Sequence, residues 1–331
     1  VSAGSAAAPE ADLFWLAPQI EALRQARAMG RFPHALLIQD IPGGGGVQLA
    51  IKAAQIALCT EPDFPCGHCR ACQRVLSQSH PDLWWVTPEE DATQIKIDQI
   101  RALNETLALT AHGSSASVAV IHPAELLNAS SANALLKTLE EPRAGVLLVL
   151  VAATGARLPA TVLSRCLRLP VILPSRAAGA AWLRRHRGEA DWEAVLEIVG
   201  DAPLRALSAD PAELLALRRE TESHLDAALE GTLEVAPAAE RWAERDGFEL
   251  RVHCAENWVT RRLRAQLTGA ADVTEMHTAP HLPASNSSMN IRSLVRLMDA
   301  LMELRRLAST TINKALAVEQ LLWQLRAARK G

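Results

Sequence analysis

Cys59, Cys66, Cys69 and Cys72 lie together in the stretch "CTEPDFPCGHCRAC". The last three are separated by two-residue gaps, so a turn can direct successive thiolates around one ion. Cys59 can supply the fourth sulfur from the end of a preceding helix. Four soft donors favour tetrahedral Zn2+. A closed sulfur shell leaves no position for a reacting water, so such a zinc staples a loop and activates no substrate. An iron–sulfur centre and metal-free cysteines are the other two readings of the same residues. His68 is a possible substitute ligand, but it sits between two better-spaced cysteines and reads rather as an exposed loop residue. Cys166 and Cys254 stand apart in sequence and read as buried apolar residues.

A second candidate chemistry begins at Ile38 in "IQDIPGGGGVQ". A buried strand, a glycine turn and a helix suit a phosphate loop. Such a loop needs backbone amides around phosphate oxygens, a lysine charge, and a Ser or Thr hydroxyl for magnesium. Gly43, Gly44, Gly45 and Gly46 supply the turn, but Val47 and Gln48 take the places expected of lysine and hydroxyl. Lys52 is more than a helical turn further on and rotated to another face. The acidic pair expected beyond a neighbouring strand is also missing. The strand "VAVI" is followed by His122, Pro123 and Ala124, with only Glu125 nearby. A single glutamate there reads as a helix cap or dipole partner. The chain is therefore expected to have no productive ATP site of its own, and its glycines alone read as a tight turn or a close backbone crossing.

Periodicity supplies the elements that must hold these residues. Short apolar strands are expected at Ala35 to Gln39, Leu83 to Val86, Val118 to Ile121, Val146 to Val151 and Leu167 to Val171. Helices are expected at Leu16 to Met29, Val47 to Leu58, Ile95 to Leu109 and Ser130 to Glu141, the last stopped by Pro142. Strand–helix alternation predicts a largely parallel, doubly wound sheet covered by helices, with its strand order left open. Beyond about residue 172 the strand signal fades. A small helical region follows, and then helices are expected at Glu213 to Leu229, Glu240 to Leu267, Ile291 to Ser309 and Ile312 to Ala328. The segment "TGAADVTEMHTAPHLPASNSSMN" reads as an exposed connection.

Composition narrows the function classes. With 331 residues, 49% of them hydrophobic, the chain can fold around a substantial core. A formal charge of −3 provides no global attraction for nucleic acid or anionic membrane. The runs Arg184, Arg185, Arg187 and Arg261, Arg262, Arg264 read as solvated helix faces. The opening "VSAGSAAAPEAD" reads as a frayed terminus and not a signal peptide. The apolar run from Val146 to Ala153 suits a buried strand and is too short to cross a bilayer. Cysteines clustered for a metal, not spread as a disulfide framework, point to a reducing cytoplasm.

These features, with "HALLIQDIPG", "SHPD", "NASSANALLKTLEEP", "TVLSRC" and "TINKALAVEQLL", closely resemble the delta-prime family of bacterial DNA polymerase III clamp-loader subunits. The resemblance runs in order over most of residues 13–331, strongest from Leu13 to Leu169 and weakest from Glu213 to Met289. It implies an α/β AAA+-type parallel-sheet core with a zinc insertion (residues 1–172, insertion about 59–72). A small helical lid domain (173–210) and an all-α C-terminal collar (211–331) would follow. It implies a non-hydrolysing stator beside ATPase subunits (tau/gamma) and a delta subunit, serving a sliding clamp and primed DNA in the cytoplasm. Cys59, Cys66, Cys69 and Cys72 match the family's zinc ligands.

Arg165 matches the arginine of the family's Ser–Arg–Cys motif, which reaches into a neighbouring subunit's ATP site. From its residues alone, Arg165 reads as a surface salt bridge. Two other readings stand beside the stator: an autonomous ATPase with an irregular site, and a zinc-bearing nucleic-acid-binding module.

Overall fold

The structure, a computed structural model, describes residues 13–90, 92–108, 116–244, 247–268, 289–307 and 313–327. The opening segment and most of the expected connection before Ile291 lie outside the described residues. Contacts divide the chain into two units: Val1–Pro174 with Ala202–Ser208, and Ser175–Asp201 with Ala209–Gly331.

The first unit is built on strands β1 (Ala35–Asp40), β2 (Leu83–Val86), β3 (Ser117–Ile121), β4 (Val146–Ala153) and β5 (Leu167–Pro170). They form one parallel sheet in the order β2-β3-β4-β1-β5. β1 and β4 lie inside the sheet and are buried on both faces, which is why they read as continuous apolar runs rather than alternating ones. Helices α1 (Ala17–Ala28), α2 (Gly46–Leu58), α3 (Arg70–Leu76), α4 (Ile97–Ala108), α5 (Ala129–Glu140) and α6 (Ala160–Leu163) accompany the sheet. α5 starts where the Asn128 side chain accepts the Ser131 amide at 2.8 Å, and Pro142 follows its end. Leu135 and Leu139 of α5 pack with Ile100 and Leu103 of α4 and with Leu37 and Leu148 of the sheet.

The second unit is all helical: α7 (Arg176–Arg187) and α8 (Trp192–Val199) precede the short α9 (Pro203–Leu207), which belongs to the first unit. Then come α10 (Pro211–Glu230), α11 (Val235–Trp242), α12 (Phe248–Thr268), α13 (Ile291–Leu307) and α14 (Lys314–Ala327). The parallel-sheet core, the lid helices and the separate all-α C-terminal region therefore agree with the architecture expected from the sequence. One expectation is corrected: Glu240 to Leu267 is not a single helix. The chain breaks around Gly247, and Trp242 and Phe248 on either side are both fully buried, fixing α11 and α12 into one core. Leu294, Leu297, Leu301 and Leu304 of α13 enter that core with Leu321, Leu322 and Leu325 of α14.

The arginine run near residue 261 is also corrected. Arg261 and Arg262 are partly buried and paired with Glu222 and Asp226 of α10, while Arg264 alone faces solvent. On the same helix, Arg218 joins Glu222 at 2.9 Å and Glu197 of α8 at 3.0 Å. Arg251 of α12, only 5% exposed, reaches Glu220 at 2.5 Å and the Thr221 hydroxyl at 3.2 Å. Removing one partner of a buried pair strands the other. Arg251→Met is therefore expected to destabilise the protein by about 3 kcal/mol, the low end of the range because Glu220 keeps Arg241. Urea unfolding midpoints would measure it. No described helix is long and apolar enough to cross a membrane.

Candidate functional site

The four expected cysteines converge. Their Sγ atoms all lie within 4.8 Å of one another. Cys59 is the residue after α2, where the chain turns extended, and Cys69 is the N-cap of α3 with Cys72 one turn inside. The Cys69 amide donates to Cys66 Sγ at 3.3 Å and the Cys72 amide to Cys69 Sγ at 3.4 Å. Amides aimed at sulfur stabilise thiolate, the form a metal requires. Burial opposes ionisation of Cys69, but the Cys72 amide and the neighbouring thiols overcome it and bring its pKa down to about 6. Burial pushes Cys59 and Cys72 upward. Four sulfurs so close, two of them buried, are a donor set fit for a tetrahedral thiophilic ion, with no oxygen ligand and no open position.

The surrounding shell was not legible in the sequence. Gln55 is completely buried and donates to the Cys72 carbonyl at 3.1 Å, although its spacing with Gln48 and Lys52 suggests a polar stripe. Arg27 of α1 donates to the carbonyls of Ile56 and Cys59 and lies over the Phe64 ring at 4.1 Å. His68 is exposed, as expected of a non-ligand.

The glycine turn forms at the end of β1, with Gly43 at φ +84° and Gly45 at φ +111°, conformations that favour glycine. Gly45 is the N-cap and Gly46 the first residue of α2. In the G-x-x-x-x-G-K-[ST] pattern, the lysine follows the glycine at the mouth of the helix. The register therefore places Gly46 and Val47, one residue earlier than the count of glycines suggests, at the lysine and hydroxyl positions. Neither residue can serve. Lys52 instead donates to Gln55 at 3.1 Å.

The turn is closely surrounded. Trp15 Nε1 donates to the Gly44 carbonyl at 2.7 Å, and the Leu204 amide of α9 donates to the Gly43 carbonyl at 3.1 Å. A Cβ on Gly43 would lie 2.6 Å from Arg205 Cβ, and one on Gly46 would lie 2.5 Å from Asp40 Cβ.

Burial pushes the Asp40 carboxyl up to about 6, against the pull of the nearby Gly46 and Ile41 amides, and its Oδ1 is buried without a hydrogen-bond partner. Because the folded value is raised, its stability contribution is complete below the ordinary 3.8 and is lost as pH rises through about 6. The gap corresponds to about 3 kcal/mol. Asp40→Asn is expected to be more stable than wild type by up to that amount at pH 7.5 and not at pH 4, in paired urea titrations.

Glu125 is the acidic residue beyond the end of β3. Glu125 lies in a 3-10 turn (Ala124–Leu126), and both its oxygens stand 3.4 Å from the Ala153 amide at the end of β4. It closes a strand end. His122 is held below its ordinary pKa by burial.

Arg165 follows α6, and its side chain is 34% exposed. Nη2 meets Glu140 Oε1 at 2.6 Å, and Nη1 donates to the Thr161 carbonyl at 2.9 Å and to Ser164 Oγ at 3.2 Å. Cys166, the next residue, is buried with Leu135 and Leu139, anchoring the turn that carries the guanidinium. Glu140 as its partner was not legible: acidic residues near a helix end are common, and nothing in the spacing links α5 to α6.

The chain is similar to known proteins. A family profile described as "DNA polymerase III, delta subunit" matches residues 16–172. The chain is 31% identical over 304 residues to DNA polymerase III subunit delta-prime of Pseudomonas aeruginosa, covering 88% of this chain and 91% of that one. It is 38% identical over 174 residues to subunit delta-prime of Escherichia coli, covering 52% of each. A solved structure of a gamma-subunit-related DNA polymerase III protein from Thermotoga maritima aligns over 94% of this chain and 99% of its own. Its identity is 19% and its TM-score 0.46.

Proposed function

Since this chain belongs to the delta-prime family of bacterial DNA polymerase III clamp-loader subunits, we propose that it is a non-hydrolysing stator of the clamp loader, offering Arg165 to the ATP site of an adjacent motor subunit. The observation that carries this reading is Arg165 itself: a surface guanidinium fixed by its own chain, on a core whose phosphate loop has no lysine. A planar cation can contact phosphate oxygens and stabilise the charge that develops during phosphoryl transfer. Glu140, Thr161 and Ser164 limit the orientations it samples, so less freedom is lost when a phosphate arrives.

Its partners in this reading are the tau/gamma ATPase subunits and the delta subunit, and through the assembly a sliding clamp and primed DNA in the cytoplasm. Zn2+ is the ion assigned to Cys59, Cys66, Cys69 and Cys72, as a structural staple. Functionally, residues 1–172 act as the degenerate core, 173–210 as the lid and 211–331 as the collar that joins the other subunits. The isolated chain has neither polymerase nor ATPase activity. Two measurements test the proposal: co-purification with the motor and delta subunits, and ATP turnover by the rigorously purified single chain. Sustained magnesium-dependent turnover by that chain would defeat the stator reading.

A further inference from the structure

The glycine turn lacks more than a lysine, because something of the protein's own stands in it. Counted on the phosphate-loop pattern, Asp40 takes the place of the first glycine. Its side chain reaches across the turn. Positions for a Cβ on Gly46 fall 2.6 Å from Asp40 Cγ and 2.7 Å from Oδ2, and one on Gly44 falls 2.7 Å from Oδ1. The amides of Gly46 and Ile41 lie near enough to the carboxylate to favour its charged form. Gly46 is the first residue of α2, so its amide is one of the unsatisfied donors that make a helix N-terminus bind anions.

One further amide of the turn and three of its carbonyls are also committed. The Gly44 amide donates to the Ile41 carbonyl at 2.6 Å, and the carbonyls of Gly43, Gly44 and Gly45 accept from Leu204, Trp15 and Leu49.

We infer that Asp40 is the residue that closes this loop to phosphate: its carboxylate occupies the anion position at the head of α2 as an internal ligand. A nucleotide phosphate arriving there meets a filled position and, once Asp40 is ionised, a like charge. Exclusion of nucleotide is then an active property of one side chain, separate from the loss of the catalytic lysine.

Amide NMR on the full-length chain tests this, with inorganic phosphate and then ATP as probes. In wild type, the Gly46 amide is expected to be protected from exchange and to show no phosphate-dependent shift. In Asp40→Ala, the Gly46 amide is expected to shift on phosphate addition, with an apparent affinity at least about tenfold above any wild-type response. Asp40→Asn, which loses the charge but still fills the space, is expected to stay closed. A folded Asp40→Ala protein without a phosphate response overturns the inference, as does an unprotected Gly46 amide in wild type. Opening of the Asn variant as wide as the Ala variant would assign the exclusion to charge alone and also overturn it. The inference rests on the reading that this chain turns over no nucleotide, but the two fail separately. ATP turnover by wild type defeats both, whereas a silent Asp40→Ala variant defeats only this one.

Discussion

Replacing Arg165 with Ala is expected to leave the chain folded and assembled while crippling the loader that contains it. The side chain is a third exposed and its ion pair with Glu140 is a surface pair. Such pairs contribute at most about 1 kcal/mol, so unfolding midpoints should hardly move. Chemistry responds differently. An arginine supplied in trans is worth about 10³–10⁵ in kcat at the site it serves. In the proposed arrangement the guanidinium serves the ATP site of one adjacent subunit, so total DNA-stimulated ATP turnover is expected to fall partially, by the share of that site. Clamp loading, which needs the sites to act together, is expected to fall at least about tenfold. Arg165→Lys should not restore it, since an ammonium cannot reproduce the planar fork. A reconstituted loader with unchanged turnover and loading would refute the trans role.

The second large effect concerns the cysteine cluster. The purified chain is expected to carry one zinc, and its removal by a chelator, or the change Cys69→Ser, should unfold the segment around residues 59–72. Structural zinc in small fingers has an apparent binding free energy of about 10–16 kcal/mol. Here only the insertion depends on it, so a loss of about 2–5 kcal/mol in global stability is expected. Because burial keeps Cys59 and Cys72 protonated in the metal-free chain, zinc uptake must release protons and should weaken as pH falls. Metal analysis, thermal melting and hydrogen exchange of residues 59–72 read this out. Equal melting and equal protection with and without metal would remove zinc from the account.

Much of this was legible in the sequence because its signals are local. Two-residue gaps between thiols, a proline after α5 and unbroken apolar runs in β1 and β4 each follow from short-range geometry, and each appears where expected. What was hidden depends on residues meeting across the fold. Glu140 and Arg165 come together only because α5 packs on α6. Gln55 is buried only because α3 folds back over α2. The register of the glycine turn was misread by one residue, since four consecutive glycines give no cue to which one caps the helix. The break between α11 and α12 was missed because apolar spacing continues through it, and the pairing of Arg261 and Arg262 because charge runs look alike whether solvated or matched.

One consequence concerns α2. Nine of its residues are buried, Asp40 packs against its first residue, and Arg27 holds its far end through the Ile56 and Cys59 carbonyls. A rod packed at both ends against its own chain is a strut and not a lever, and in the proposed stator it would offer its neighbours a wall whose position does not depend on the fuel.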